Sequence, residues 1–214
     1  MTTPDAASDR PEPPTASRKE QQAIVARDRI VRAVIDCLDE HGYAETSINR
    51  IQERAGISRG ALTHHFPSKE ELMVVTAERL LQPTLVPPRK GSRQFATAED
   101  RIAAVEADIV WMWERLVDTR EGRALLEILV ATRTDVALKG RISETFVRWN
   151  RAINDSLAAN YLLHGLAEDE QRELWTMCRV FLRGLNTQSQ FEPDHHARSA
   201  LVRSFARMIA TRFV

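Results

Sequence analysis

Apolar positions in this 214-residue chain recur at three- and four-residue spacing along most of its length, the period of helices that bury one stripe. From Arg18 the stripe runs through Ile24, Val31, Val34, Ile35 and Leu38, with Arg27 in phase. It stops at Gly42, where a left-handed C-cap is expected to end a first helix. Thr46 or Ser47 offers the N-cap of a short second helix, with Ile48, Ile51 and Ala55 inward and Gly56 at its end. Ser58 then opens Arg59-Gly60-Ala61-Leu62-Thr63-His64-His65-Phe66, and Pro67-Ser68 breaks that third helix and starts a fourth.

Pro83, Pro87, Pro88 and Gly91 mark a breaker stretch from about 83 to 95 and predict a domain boundary there. Beyond it, Ile102, Val105, Ile109, Met112 and Leu116 predict helix five, and Leu125, Leu126, Leu129 and Val130, after Gly122, predict helix six. Ile142, Phe146, Trp149, Ile153, Leu157 and Tyr161 run as helix seven to Gly165. Leu174, Met177, Cys178, Phe181, Leu182 and Leu185 form helix eight, and after Pro193 helix nine carries Leu201, Val202, Phe205, Met208 and Ile209. About nine helices in an all-α fold are expected, divided into 18–82 and 96–214, with no internal repeat. Residues 1–17 hold Pro4, Pro11, Pro13 and Pro14 and nothing apolar larger than Ala after Met1, which predicts a disordered tail.

Composition agrees: 8 Gly and 6% aromatics suit helices better than sheets, and 43% apolar residues are enough for a sizeable core. Cys37 and Cys178 stand far apart, outside any CxxC spacing, and are expected to be buried small hydrophobes in a reducing compartment. The polar start lacks the apolar core of a signal peptide, and no run approaches the roughly 18 apolar residues of a membrane span, so a soluble, cytoplasmic protein is expected.

The candidate chemistry lies where the two shortest helices meet. Ala55-Gly56-Ile57-Ser58 has the makings of a helix-turn-helix: Gly56 permits the tight turn, Ile57 plugs the angle and Ser58 caps the second helix. Arg59, Thr63, His64 and His65 can donate to phosphates or base edges, and Gly60 and Ala61 let backbone approach a groove. Formal charge is zero for the whole chain, with 30 Lys+Arg against 30 Asp+Glu, but it is unevenly placed. Within 46–69, Arg50, Arg54, Arg59 and Lys69 stand against Glu53, an excess of +3. Within 18–32, Arg18, Lys19, Arg27, Arg29 and Arg32 stand against Glu20 and Asp28, again +3. Charge and turn alone fit DNA binding and a merely solvated helix face equally well.

The whole stretch Thr46-Ser47-Ile48-Asn49-Arg50-Ile51-Gln52-Glu53-Arg54-Ala55-Gly56-Ile57-Ser58 through Lys69-Glu70-Glu71-Leu72 closely resembles the DNA-binding signature of TetR-family transcriptional regulators. The resemblance covers roughly residues 24–80. It implies that Thr46 and Ser47 touch phosphate at the start of helix two, that Arg59, Gly60, Ala61 and Thr63 face the groove, and that His65 and Lys69 bind phosphate. The family usually has Tyr where this chain has Thr63, so a long phenolic reach is replaced by a short hydroxyl and a methyl. Arg18 and Lys19 fit a minor-groove arm or a solvating tail end equally.

The resemblance further implies a homodimer through helices eight and nine, which sets two reading helices about 34–36 Å apart or somewhat more on a near-palindromic DNA operator. It also implies a small apolar or amphipathic effector in the second domain, entering between helices five and eight and tilting helix four. Asp108, Arg133 and Asn150 interrupt apolar stripes there and, with Trp111, Trp149, Met177 and Phe181, could line a cavity. Plain core packing, with Asp108 and Arg133 as an ion pair, is the simpler reading of each. No GxSxG, HExxH, P-loop or Rossmann glycine pattern occurs, so neither an enzyme nor a cofactor is expected. His64-His65 and His195-His196 are adjacent pairs whose side chains diverge on a helix, which makes no metal clamp. The rival reading is a helical protein-interaction module without sequence-specific DNA binding.

Overall fold

The structure, a computed structural model, describes residues 17–82, 95–160, 166–191 and 194–213. The expected tail up to residue 16, the breaker stretch 83–94, Gly165 and Pro193 lie outside the described residues. Nine α-helices occur among the described residues, each close to its predicted place. They are α1 (Arg18–Glu45), α2 (Ile48–Ala55), α3 (Arg59–His65), α4 (Lys69–Leu80), α5 (Ala98–Met112), α6 (Arg120–Ala131), α7 (Val136–Asn160), α8 (Glu168–Gln188) and α9 (His195–Ala210).

Side-chain caps explain most of the starts. Ser17, Ser47, Ser58, Ser68, Thr97 and Thr119 each accept a hydrogen bond from the amide three residues on, satisfying donors that a helix leaves orphaned. The predicted stop at Gly42 is a kink with φ +73°, after which one further turn runs to Glu45. Glu127 of α6 fixes that kink: its Oε2 accepts from Tyr43 N at 2.9 Å. An added Cβ on Gly42 would stand 3.0 Å from the same oxygen. Gly56 ends α2 in the left-handed conformation, φ +60° and ψ 43°, as the turn requires.

Two apolar clusters hold the helices. Ile30, Val34, Leu38, Ile51, Leu62, Phe66, Leu72 and Met73 form the first, and it extends into Ala124 and Ile128 of α6 and Leu138 and Ile142 of α7. The amino-terminal helices therefore share their core with the second half of the chain. Phe66 is fully buried, which alone contributes about 1.5–3 kcal/mol of transfer free energy. The second cluster joins Trp113, Trp149, Trp175, Leu182, Val202 and Phe213. Between α5 and α6 the chain makes a π-turn at Trp113–Val117, which the stripe through Leu116 did not distinguish from plain helix.

Four stripes depart in part from expectation. Ile24 is 57% exposed because the first two turns of α1 project past the amino-terminal core. On α6 the buried positions are Ala124, Ile128 and Ala131, while Val130 is exposed, because small residues let α6 lie close along α1. On α8 and α9, Met177, Leu201 and Met208 are exposed while Cys178, Val202 and Ile209 are buried. Both cysteines are free and buried, and burial pushes the Cys178 thiol up to about 12.

Candidate nucleic-acid interface and interhelical cavity

Helices α2 and α3 meet at Gly56-Ile57-Ser58, with Ile51, Ala55 and Leu62 buried beneath the turn against α1. That burial turns the other side of α3 outward: Arg59, Gly60, Ala61, Thr63 and His64 are all exposed, and nothing lies within 4 Å of a Cβ built on Gly60. Ser47 is exposed at the start of α2, with its Oγ accepting from Arg50 N at 3.3 Å. Behind the face, Arg27 of α1 donates to His65 O at 3.2 Å and lies over the Phe66 ring at 4.5 Å, pinning the carboxyl end of α3. His65 is half-buried, its ring edge-on to that of His64.

Three expectations for this face need correction. Thr46 is completely buried and its hydroxyl donates to Gly42 O at 2.6 Å, so its side chain closes the end of α1 and offers no surface to a phosphate. Lys69 turns inward: Nζ donates to Tyr43 O at 3.1 Å and sits 4.5 Å from the Tyr43 ring centre, where burial pulls its pKa down. Arg50 and Arg54, counted toward the local positive charge, pair with Glu45 and Glu40, which lie just outside the counted window. Thr63 remains on the face, but its hydroxyl is directed at Arg59 O and Gly60 O, 3.0 and 3.2 Å away. A phosphate only accepts hydrogen bonds, so Thr63 in this rotamer has a methyl to offer and no donor.

A cavity of about 500 Å³ opens between α1, the end of α4, the end of α5, the π-turn, α6, α7 and α8. Met112, Leu116, Leu125, Trp149, Trp175 and Leu182 supply its apolar wall. Arg32, Arg79, Arg115, Arg120, Arg179 and Arg183 also line it, against two acidic residues, Asp36 and Glu121. Arg183 lies 5.4 Å from the Trp149 ring centre and 5.6 Å from that of Phe146, which are themselves stacked at 5.5 Å. Desolvation, and then the neighbouring Arg179, lower its pKa to about 10.

The sequence model of bacterial regulatory proteins of the tetR family matches residues 30–75, from the buried half of α1 through the helix-turn-helix into α4. Its amino-terminal helices carry the tetR-family helix-turn-helix segment. It is 27% identical to the HTH-type transcriptional regulator CymR of Pseudomonas putida over 85% of this chain and 87% of that one. It is 30% identical to the HTH-type transcriptional repressor AcnR of Corynebacterium diphtheriae over 61% of this chain and 60% of that one. A TetR-family regulator from Rhodococcus sp. superposes with a TM-score of 0.63 at 17% identity, covering 87% of this chain and 97% of that one, which is a likeness of fold.

The cavity takes one of the seven residues that the sequence suggested, Trp149. Met177 and Arg133 are exposed; Phe181 stacks on Phe205 of α9 at 3.9 Å; Asp108, though buried, and the half-buried Trp111 and Asn150 stand outside the lining. The reason is helical phase. Trp175, Arg179, Leu182, Arg183 and Asn186 recur at spacings of four, three, one and three along α8, so the polar groups reaching the cavity flank its apolar stripe rather than interrupt it. The π-turn shifts the same phase on the α5 side.

One further set of contacts joins the cavity to α1 and α2. Arg120, at the cavity rim, pairs with Asp36 of α1 at 2.5 Å, and Asp36 also lies 3.8 Å from Arg54 of α2. Arg123 of α6 grips Asp39 of α1 through two hydrogen bonds of 2.5 and 3.1 Å. Arg79 at the end of α4 pairs with Asp28 at 2.7 Å. Sequence reasoning did not find these pairs, because each joins residues tens of positions apart.

Proposed function

We propose that this TetR-family chain is a dimeric, DNA-binding transcriptional repressor, cytoplasmic and without catalytic activity, whose grip on a near-palindromic operator is released by a small molecule in the interhelical cavity. The observation that carries the reading is the outward face of α3, where Arg59, Gly60, Ala61, Thr63 and His64 stand exposed on a helix pinned from behind by Leu62, Phe66 and Arg27. Residues 18–82 act as the DNA-binding unit and 96–214 as the regulatory and dimerisation unit. Ser47 and His65 contact phosphate; Arg59 and His64 reach base edges or phosphate; the Thr63 methyl meets a thymine methyl. Lys69 acts indirectly, by tying the start of α4 to Tyr43.

A ligand that favours one spacing of the two reading heads needs only to bind that state better than the DNA-competent one. The Arg120–Asp36 and Arg123–Asp39 pairs, with Arg79–Asp28, link α6 and α4 to α1 and give a cavity ligand a mechanical route to the head. The test is selection of duplexes from a random pool, followed by gel-shift titration against salt. The affinity for the selected duplex should fall by about 10³-fold or more between 50 and 200 mM salt, because six or more phosphate contacts release counterions. No selected sequence, or a flat salt dependence, favours a helical protein-interaction module instead.

For the dimer, the supporting feature is the row of exposed apolar residues on the last two helices: Met177, Val180, Leu201 and Met208, with Phe191 just beyond α8 at 81% exposure. A four-helix interface through α8 and α9 covers them. Met177→Glu combined with Met208→Glu, both at positions already exposed, is expected to convert the species eluting as a dimer on size-exclusion chromatography into a monomer of unchanged helicity. Elution as an unaltered dimer would place the interface elsewhere.

A further inference from the structure

Arg183 and Trp149 carry polar groups that the fold itself leaves unanswered. Among the described residues no carboxylate reaches Arg183; its neighbours are the Phe146 and Trp149 rings and a second arginine, Arg179. Trp149 is 8% exposed, and its indole Nε1–H has no hydrogen-bond acceptor among the described residues. Both residues line the cavity. A desolvated guanidinium next to another cation is unfavourable, and so is a buried donor without an acceptor, unless something else in the site supplies the missing charge and oxygen.

The remaining cations divide by position. At the rim Arg79 and Arg120 are neutralised by Asp28 and Asp36, whereas Arg32 and Arg115 stand exposed. The net potential over the opening is positive, which concentrates anions and repels cations. Beside the arginines, Met112, Leu116, Leu125, Trp175 and Leu182 form a wall that suits an apolar body.

We propose that the cavity binds an amphipathic organic anion, an aromatic or alkyl carboxylate or sulfonate, with its acid group on Arg183 and the Trp149 indole N–H and its apolar body against Trp175, Leu182 and Met112. The proposal rests on reading this cavity as the effector site. A guanidinium donates to two oxygens side by side, and the Trp149 N–H adds a third donor, so the acid group is fixed in orientation as well as neutralised. Arg120, whose pair with Asp36 ties α6 to α1, lines the same cavity.

The test uses two fluorescent probes with the same aromatic body on the full-length protein. 1-Anilinonaphthalene-8-sulfonate carries an acid group, and N-phenyl-1-naphthylamine carries none. The wild type should bind the sulfonate at least about tenfold more tightly than the amine. Arg183→Met should abolish that preference while leaving the amine's Kd unchanged, and Trp149→Phe, which keeps the ring and removes the donor, should weaken the sulfonate alone by about three- to tenfold. Equal binding of the two probes by the wild type overturns the inference. So does sulfonate binding that survives both substitutions. A gel shift on the same preparations keeps the two readings apart. Operator binding without anion preference defeats the anion site alone; anion preference without operator binding defeats the repressor and leaves the site standing. Release of the operator by the sulfonate, lost in Arg183→Met, joins the two.

Discussion

Gly122→Ala is expected to lower the melting temperature by roughly 6–12 °C, corresponding to a destabilisation of about 3 kcal/mol in a chain of this size. Gly122 sits in the first turn of α6, where its amide donates to Thr119 Oγ1 at 3.0 Å. A Cβ at that position would stand 2.3 Å from both Leu116 O and Val117 O and 2.8 Å from the Val117 carbonyl carbon, separations that real atoms do not tolerate. These carbonyls cannot simply swing aside. Thr119 Oγ1 donates to Leu116 O at 3.2 Å, Asn186 Nδ2 of α8 donates to Val117 O at 2.5 Å, and Asp118 N closes the π-turn onto Trp113 O at 2.8 Å. One methyl group thus forces open the corner that holds the fully buried Trp113 and one wall of the cavity. Gly140→Ala on α7, where nothing lies within 4 Å, is the matched control and should gain helix propensity. Equal melting temperatures for the two variants, measured by circular dichroism, would mean that the corner relaxes freely.

The fold was legible wherever a local rule decides it. Ser47, Ser58 and Ser68 cap the helices they precede, Gly42 and Gly56 take positive φ where a helix stops or kinks, and the 3.6-residue period places nine helices. What the period cannot supply is a choice between two adjacent apolar stripes. On α6 the larger residues Leu125, Leu126 and Leu129 drew attention, yet the core takes Ala124 and Ile128, because closeness to α1 favours small side chains at that crossing. On α8 and α9 a monomer leaves Met177 and Met208 exposed, and the sequence alone cannot tell a stripe meant for the core from one meant for a partner.

The same division runs through the candidate sites. The outward side of α3 follows from short-range order in the turn, and Ser47, Arg59, Gly60, Ala61, Thr63 and His64 stand exposed. Thr46 and Lys69 do not, since each is fixed by a main-chain carbonyl of the kinked end of α1, Gly42 O and Tyr43 O. The charge count over 46–69 treated Arg50 and Arg54 as available, but their partners, Glu45 and Glu40, come from α1. The cavity was the least legible feature. It forms from seven elements at once, and its cations on α8, Arg179 and Arg183, carry no local signal that separates them from a solvated helix face.

Ala61→Glu is expected to reduce operator affinity by about 100-fold or more while leaving the melting temperature within about 2 °C of wild type. The side chain at 61 is exposed, and only the amide of Ala61 takes part in the cap, donating to Ser58 Oγ at 3.2 Å, so a glutamate meets no core atom and suits a helix. Against DNA the same carboxylate is costly twice over. It fills the space beside Gly60 through which backbone would approach the groove, and it sets a negative charge among phosphates. In the proposed dimer two subunits carry the substitution, so a penalty of about 1–3 kcal/mol per reading head is doubled. Val136→Glu alters net charge equally at a position 79% exposed at the start of α7, and it should leave operator affinity within about threefold. The pair separates location from charge: a loss shared by both variants reports only a more acidic protein. Ala61→Glu binding within threefold of wild type would remove α3 from the groove, and with it the observation on which the repressor reading stands.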